Sequence, residues 1–243
     1  MNLVVDIGNT AVKLAVMESG KAAELLTDSS AGFEAGAAFI KKYESLPAIV
    51  ASVRSNSDKV ATLVRRLLPR ALVLTHETPL PIKNLYASPQ TLGKDRLAAA
   101  VGAAHLFPRQ NVLVVDAGTA ITYELVSSKG EYLGGNISPG IDMRFKALHR
   151  FTGRLPLCRR AENYVAVGFD TQSAIAAGVL SGVLYEVEAN VEQFSLKIPN
   201  LKVILTGGDA DFFVNRLKKA IFAACDLVLI GLNRILEHEQ TKS

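Results

Sequence analysis

The chain contains only two cysteines, Cys158 and Cys225, in 243 residues. Neither has a neighbour at metal-ligand spacing, and one distant pair is no disulfide framework, so a reducing, cytoplasmic compartment is expected. Long apolar runs are also missing. None approaches the ~20 residues of a membrane span, and with the first strand pattern beginning almost at Met1 no signal peptide is expected. Excess charge is small: 27 Lys and Arg against 23 Asp and Glu leave +4. That surplus is spread along the chain, with no basic stripe and no helix-turn-helix pattern. Nucleic acid is therefore not an expected partner, whereas an anionic small molecule is. The Gly-x-x-x-x-Gly-Lys-Ser/Thr loop is absent, so a P-loop kinase is not expected. No low-complexity segment or interdomain linker interrupts the chain. What is present, 49% hydrophobic and 21% charged residues, is the composition of a folded protein. Its length suits one large domain or two small ones.

The strongest internal signal is a repeat. Val4-Val5-Asp6-Ile7-Gly8-Asn9-Thr10 continues through Ala11, Val12 and Lys13 to Val16, as strand, turn and strand. Shifted by 110 positions it meets Val114-Val115-Asp116-Ala117-Gly118-Thr119-Ala120 and Val126, with Val4, Val5, Asp6, Gly8 and Val16 on identical residues. Asp and Gly are ordinary turn residues, so either copy alone reads as a plain hairpin. The pair, each with a hydroxyl residue soon after its Gly, points instead to phosphate and cation binding. Backbone N–H groups in such a turn form an anion-binding concavity, and the Asp can hold a hydrated cation against the phosphate.

Strands are expected near 2–6, 11–17, 22–28, 48–53 and 71–75, with helices at 33–44 and 58–68 between them. Residues 76–92, with Pro79, Pro81 and Pro89, form the longest stretch without regular pattern. An alanine-rich helix opens on Gly93-Lys94-Asp95-Arg96, runs to Leu106, and Pro108 closes the first lobe. The second lobe repeats the scheme, with strands near 111–116, 119–126 and 132–137 and a helix at 141–152. A long helix follows at 171–194, with Gly178 and Gly182 spaced for close backbone packing, then a strand at 201–205. Two further helices are expected near 211–223 and 229–239, with a short strand between them. Strands alternating with helices this regularly predict an α/β fold.

Three aspartates carry the chemistry. Asp6 and Asp116 stand at strand ends, where side chains leave the sheet and can converge in a crevice. Asp95 opens a helix, a position the helix dipole favours for any acid. Its neighbours add more: Gly93 allows close approach, and Lys94 and Arg96 supply positive charge for a small carboxylate substrate beside a base. Lys13 can reach a phosphate as a point charge. Thr206-Gly207-Gly208 precedes a helix and can accept a planar ring or ribose on bare backbone, and Thr171 is a candidate N-cap. His76, His105 and His149 have no partner spacing and read as structural or exposed.

In these ordered motifs the chain resembles the type III pantothenate kinases, of the acetate kinase, hexokinase, Hsp70 and actin superfamily. They are Asp6-Ile7-Gly8-Asn9-Thr10 with Lys13, Gly93-Lys94-Asp95-Arg96, Asp116-Ala117-Gly118-Thr119-Ala120, Gly134-Gly135-Asn136-Ile137 with Pro139-Gly140, Leu155-Pro156, Gly168 with Thr171, and Thr206-Gly207-Gly208. The resemblance implies two duplicated ribonuclease H-like (actin-like ATPase) lobes around a central nucleotide cleft. Residues 1–109 would carry the phosphate loop and pantothenate site, and 110–243 the cation, ATP and dimer contacts. It implies ATP-dependent phosphorylation of pantothenate, the first step of coenzyme A biosynthesis. Asp6, Ile7, Gly8, Asn9, Thr10, Ala11, Val12 and Lys13 would hold ATP with its Mg2+, Asp6 acting on the metal through water, and Thr119 would also touch ATP. Tyr86, Gly93, Lys94, Asp95, Arg96 and Thr171 would bind pantothenate, with Asp95 the general base. Asp116 would ligate a monovalent cation, K+ or NH4+. A homodimer is implied in which the partner subunit helps to close the pantothenate pocket, with the long helix at 171–194 a candidate surface. Lys94 occupies a variable position, and Asp170 stands where family members often have Asn. The rival readings are a transcriptional accessory factor of the same family and another small-molecule kinase of the superfamily.

Overall fold

The computed structural model describes residues 1–29, 32–55, 57–214, 216–218 and 221–242. In chain order the elements begin β1 (Asn2–Ile7), β2 (Val12–Glu18), β3 (Lys21–Asp28), α1 (Glu34–Tyr43), β4 (Ala48–Ser52), α2 (Lys59–Leu67), β5 (Leu72–Val73), β6 (Lys83–Asn84) and α3 (Lys94–Leu106). They continue with β7 (Val112–Ala117), β8 (Ala120–Val126), β9 (Glu131–Pro139), α4 (Ile141–Phe151), α5 (Thr171–Lys197), β10 (Lys202–Thr206), α6 (Ala210–Val214), β11 (Phe222–Ala223) and α7 (Leu227–Gln240).

The repeat in the sequence is a repeat of topology. One sheet has the order β3-β2-β1-β4-β5. Strands β1 to β3 form an antiparallel meander, and β4 and β5 join parallel to β1. The other runs β11-β10-β7-β8-β9, the same path with β7 in the place of β1, and the short β6 adds beyond β9. β1 and β7 are buried along almost their whole length, as expected of central strands.

The chain divides into two compact units. One comprises Met1–Arg109, Val126–Gly134 and Asp226–Ser243, the other Gln110–Leu125 and Gly135–Cys225. One division between the units falls after Arg109, while the hairpin tip between β8 and β9 and all of α7 group with the first unit. The reason is burial. Leu229, Ile230, Leu232, Ile235 and Leu236 of α7 pack with Val4, Ala15, Ile49, Ala98 and Val101 under the first sheet. The opposite face of that sheet is covered by α1 and α2 through Phe39, Ile40, Ala61 and Val64. In the second unit one core joins Leu113, Val115 and Tyr123 to Phe145 of α4, to Val179, Val183 and Val187 of α5, and to Phe212 and Phe213.

Several local expectations change. The stretch 76–92 contains β6 and a single helical turn at Pro89–Thr91. β6 is parallel to the start of β9, with Lys83 opposite Glu131 and Asn84 opposite Tyr132. The helix expected at 211–223 ends at Val214, and Phe222–Ala223 is a strand beside Ile204–Leu205; residues 215, 219 and 220 of that range lie outside the described residues. Asp170, not Thr171, caps α5: its carboxylate accepts from Ser173 N at 2.8 Å while Ser173 Oγ returns a bond to Asp170 N at 3.0 Å. Thr171 is the first helical residue. Helix α5 is long and apolar enough to cross a membrane by length and composition, contrary to the expectation that no run comes near. Its row Ile175, Val179, Leu180, Val183, Val187 and Val191 is buried in the second core, which accounts for that apolarity. Gly178 and Gly182 on the same helix have no atom of the chain within 4 Å of an added Cβ, so the close packing expected of them is not made among the described residues.

Candidate active site

In the first unit the Asp-x-Gly turn joins β1 to β2. Gly8 N donates to Ala11 O at 3.0 Å, closing a loop on whose outside Asn9 and Thr10 stand exposed. Asp6 lies directly across from Lys13 in the β1–β2 register. Cross-strand neighbours share a face, so the ammonium stands on the carboxylate's side of the sheet and does not point away from it. Arg54, just past the end of β4, donates from Nε to Gly8 O at 2.7 Å. Arg54 belongs to none of the sequence motifs. Its signal is an arginine soon after a short, mostly apolar strand, at the edge where parallel strands end.

The Gly-Lys-Asp-Arg segment opens α3. Gly93 is the N-cap, and Asp95 Oδ1 accepts from Arg96 N at 2.8 Å. A Cβ on Gly93 would come within 2.5 Å of that same oxygen, so glycine is what lets the Asp95 carboxylate fold back over the helix start. Arg96 is 6% exposed, and its guanidinium lies 5.7 Å from the centre of the Tyr86 ring, a cation–π contact. Tyr86 in turn stacks on the buried Tyr132 ring at 5.9 Å. Strand β6 sets this up, because Leu85 N donates to Tyr132 O at 3.0 Å. The structure thus gathers Tyr86, Gly93, Lys94, Asp95 and Arg96, residues from separate sequence segments. A cavity of about 510 Å3 lies at the ends of β1, β4 and β5 and is lined by Ile7, Ser52, Arg54, Arg65, Gly93 and Lys94, among others. One cavity therefore borders both the end of β1, at Ile7, and the start of the Gly-Lys-Asp-Arg segment, at Gly93 and Lys94. That is where ligands bind in open α/β sheets, outside the carboxyl ends of the strands.

The second Asp-x-Gly turn is tighter. Gly118 N donates to Ala120 O at 3.0 Å, and β8 starts at Ala120, two positions earlier than the repeat with β2 requires. Gly140 N donates to Thr119 O at 3.1 Å and Asp209 N to Ala117 O at 2.9 Å, so the turn is held from both sides. Thr206 is the register partner of Asp116 across β7 and β10. Gly207 follows with φ +96, and a Cβ there would meet Ala117 O at 2.3 Å and Asp116 Oδ1 at 2.5 Å. Its glycine therefore serves backbone approach to the Asp116 turn. Of the pair expected to form a ring platform, Gly208 is the one where an added Cβ would meet nothing within 4 Å. Asp209 is pushed up from the ordinary carboxylate range by burial, against the pull of Arg160 at 3.1 Å, with the Asp142 charge adding to the rise. Nearby, Glu186 of α5 receives bonds from Ser138 at 2.5 Å, Arg144 at 2.5 Å and Tyr123 at 3.3 Å. Burial opposes its ionisation, but those donors together hold its pKa below the ordinary value. The cluster ties β8, β9, α4 and α5 together. Thr171, exposed on the first turn of α5, makes no contact with these groups among the bonds described.

The donors suit hard cations. Asp6 and Asp116 each place a carboxylate near a strand end, and carboxylate oxygen is the donor that Mg2+ and K+ use. Among the described residues no three His, Cys, Asp or Glu side chains converge on a point. A divalent ion would take one carboxylate from the protein and the rest of its ligands from phosphates and water.

A strand-end Asp-Gly turn in each of two lobes of the same topology is the arrangement of the actin-like ATPase and sugar-kinase fold. Residues 2–193 match the model of a family described as type III pantothenate kinase. The chain is 48% identical over 238 residues to the type III pantothenate kinase of Bacteroides fragilis, covering 98% of each chain. It belongs to the type III pantothenate kinase family. Two solved structures show the fold at lower identity. One is a Campylobacter jejuni protein assigned to the Baf family of transcriptional activators (23% identical, TM-score 0.64, 98% and 99% of the two chains). The other is the polyphosphate/ATP-glucomannokinase of Arthrobacter sp. strain KM (15%, TM-score 0.53, 99% and 98%).

Proposed function

We propose that the chain transfers the γ-phosphoryl group of ATP to the primary hydroxyl of pantothenate, giving ADP and 4'-phosphopantothenate, the entry step to coenzyme A. The observation that carries this reading is the Gly93-Lys94-Asp95-Arg96 helix start, bordering the same cavity as the end of β1 and packed against Tyr86. Residues 6–13 receive the ATP phosphates, with backbone N–H groups and Lys13 as the donors, and Thr119 contributes from the second turn. Tyr86, Lys94, Arg96 and Thr171 hold pantothenate, the buried Arg96 guanidinium supplying a donor fork for a carboxylate or amide oxygen. Asp95 accepts the hydroxyl proton as the new P–O bond forms and the bond to the ADP oxygen breaks. The transition state of such a transfer is loose, so placement and charge matter more than base strength. Mg2+ at Asp6 and K+ or NH4+ at Asp116 would offset phosphate charge when bound.

The deciding assay is ATP-dependent phosphorylation of pantothenate by the purified protein, with and without potassium. Turnover that rises with K+ is expected, and Asp116→Ala should abolish the response to K+ with the fold retained. Absence of pantothenate turnover, with activity on another alcohol, would transfer the chain to a different kinase specificity. Salt-sensitive DNA binding without turnover would favour the accessory-factor reading.

The enzyme works as a homodimer in the cytoplasm on this reading. What supports a second copy is an apolar surface on the second unit. Phe151, Val167 and Phe169 are more than 80% exposed, Tyr185 of α5 is 63% exposed, and Gly178 on the same helix is open. Large apolar side chains this exposed are what contact with a second copy would cover. Phe169→Asp combined with Tyr185→Asp should convert the dimer to monomer in sedimentation. A wild-type protein that sediments as monomer at micromolar concentration overturns the assignment.

A further inference from the structure

We propose that Arg54 is a positioning residue for the phosphate loop, fixing the Gly8–Asn9 peptide so that its N–H faces the nucleotide. The inference deepens the kinase reading and rests on it. The loop uses Gly8 N–H internally, donating to Ala11 O at 3.0 Å. Gly8 O receives Arg54 Nε at 2.7 Å. In a planar trans peptide the carbonyl and the next N–H point in opposite directions. Holding Gly8 O against Arg54 therefore turns Asn9 N–H away from Arg54, to the side where Asn9 and Thr10 are exposed. A cation on the carbonyl also polarises the peptide and strengthens that N–H as a donor.

Arg54 is itself held in place. Val53 N donates to Ile7 O at 3.1 Å, which carries the chain past the end of β4 alongside the end of β1. Arg54 N donates to Ser52 Oγ at 3.2 Å. Its Nη1 is 3.7 Å from Asp58 Oδ2, with the arginine side chain 20% exposed. Asp58 cannot drift, because its Oδ1 caps α2 by accepting from Ala61 N at 3.0 Å. The chain of contacts runs from the cap of α2 through Arg54 to the backbone of the phosphate loop. An ordinary surface ion pair has no reason to end on a loop carbonyl.

The test compares Arg54→Ala, Arg54→Lys and Asp58→Asn with wild type, using Arg66→Gln as a charge-loss control from the exposed face of α2. Steady-state kinetics are measured with each substrate varied, and ADP affinity by calorimetry. For Arg54→Ala the KM for ATP should rise ~10-fold or more, ADP affinity should fall by a similar factor, and the KM for pantothenate should stay within about twofold. Methylguanidine added to Arg54→Ala should recover part of the loss. Lysine should restore little, since it has no Nε–H at that position. Asp58→Asn, which keeps a capping side chain, should shift the KM for ATP in the same direction by about two- to fivefold, and it serves if Arg54→Ala does not fold. Unchanged KM for ATP and ADP affinity in Arg54→Ala, or a change confined to pantothenate, overturns the proposal. A wild-type protein that binds ADP but does not phosphorylate pantothenate overturns the substrate assignment instead, and the calorimetry still reads the role of Arg54.

Discussion

Asp95→Asn should lower kcat by roughly 10²–10⁴-fold, about 3–5 kcal/mol of transition-state stabilisation, while the protein folds and melts as wild type. The fold is spared for a local reason. Asparagine keeps an oxygen for the Arg96 N–H bond at 2.8 Å and suits the first turn of α3. What it removes is the capacity to take a proton. Arg96, stacked on Tyr86, is untouched by the change, so pantothenate should still bind and its KM should move little. A fall in kcat at constant KM is the signature of a group acting in the transition state. Steady-state kinetics with a parallel thermal melt check both halves. Near-normal turnover would remove Asp95 from the base role, and a collapsed melt would make it structural.

Gly231→Ala is expected to be the most damaging single methyl addition in the first unit. Helices α3 and α7 pass so close that a Cβ on Gly231 would lie 1.8 Å from Ala98 O and 2.9 Å from Gly102 N. These are backbone atoms within helices and cannot rotate aside, so the helices must part. Overpacking of this kind costs roughly 3 kcal/mol, from which alanine's better helix propensity recovers about 1 kcal/mol. A net loss of about 2 kcal/mol corresponds to a fall of roughly 4–8 °C in Tm for a chain of this size. Gly153→Ala is the control, because a Cβ there meets nothing within 4 Å and should leave the melt unchanged or slightly raised. Equal melting temperatures for the two variants would mean that α7 does not pack on α3 as described.

Much of this architecture was legible because its causes are local. Strand and helix positions follow from apolar periodicity and from turn residues. The short apolar runs at 48–53 and 111–116 became β4 and β7 within a residue or two. The repeat of Asp6 in Asp116 disclosed the duplication before any sheet order was known. Elsewhere local signals compete. Asp170 and Thr171 are adjacent capping candidates, and the Ser173 hydroxyl decides for Asp170 by closing the reciprocal pair. The strand at Phe222–Ala223 has too few residues to show a period, and its pairing with β10 alone distinguishes it from the end of a helix.

The sequence by itself determined the α/β class, the duplicated Asp-Gly turns, the Gly-Lys-Asp-Arg helix start and the family, all carried by residues close together in the chain. Only the tertiary structure decided that α7 completes the first unit, that Tyr86 lies between Arg96 and Tyr132, and that Arg54 reaches the carbonyl of Gly8. Those contacts join residues from ten to more than a hundred positions apart. They form because surfaces far apart in the chain match in shape and in hydrogen-bonding groups once the sheets have assembled, and no spacing within a segment encodes such a match.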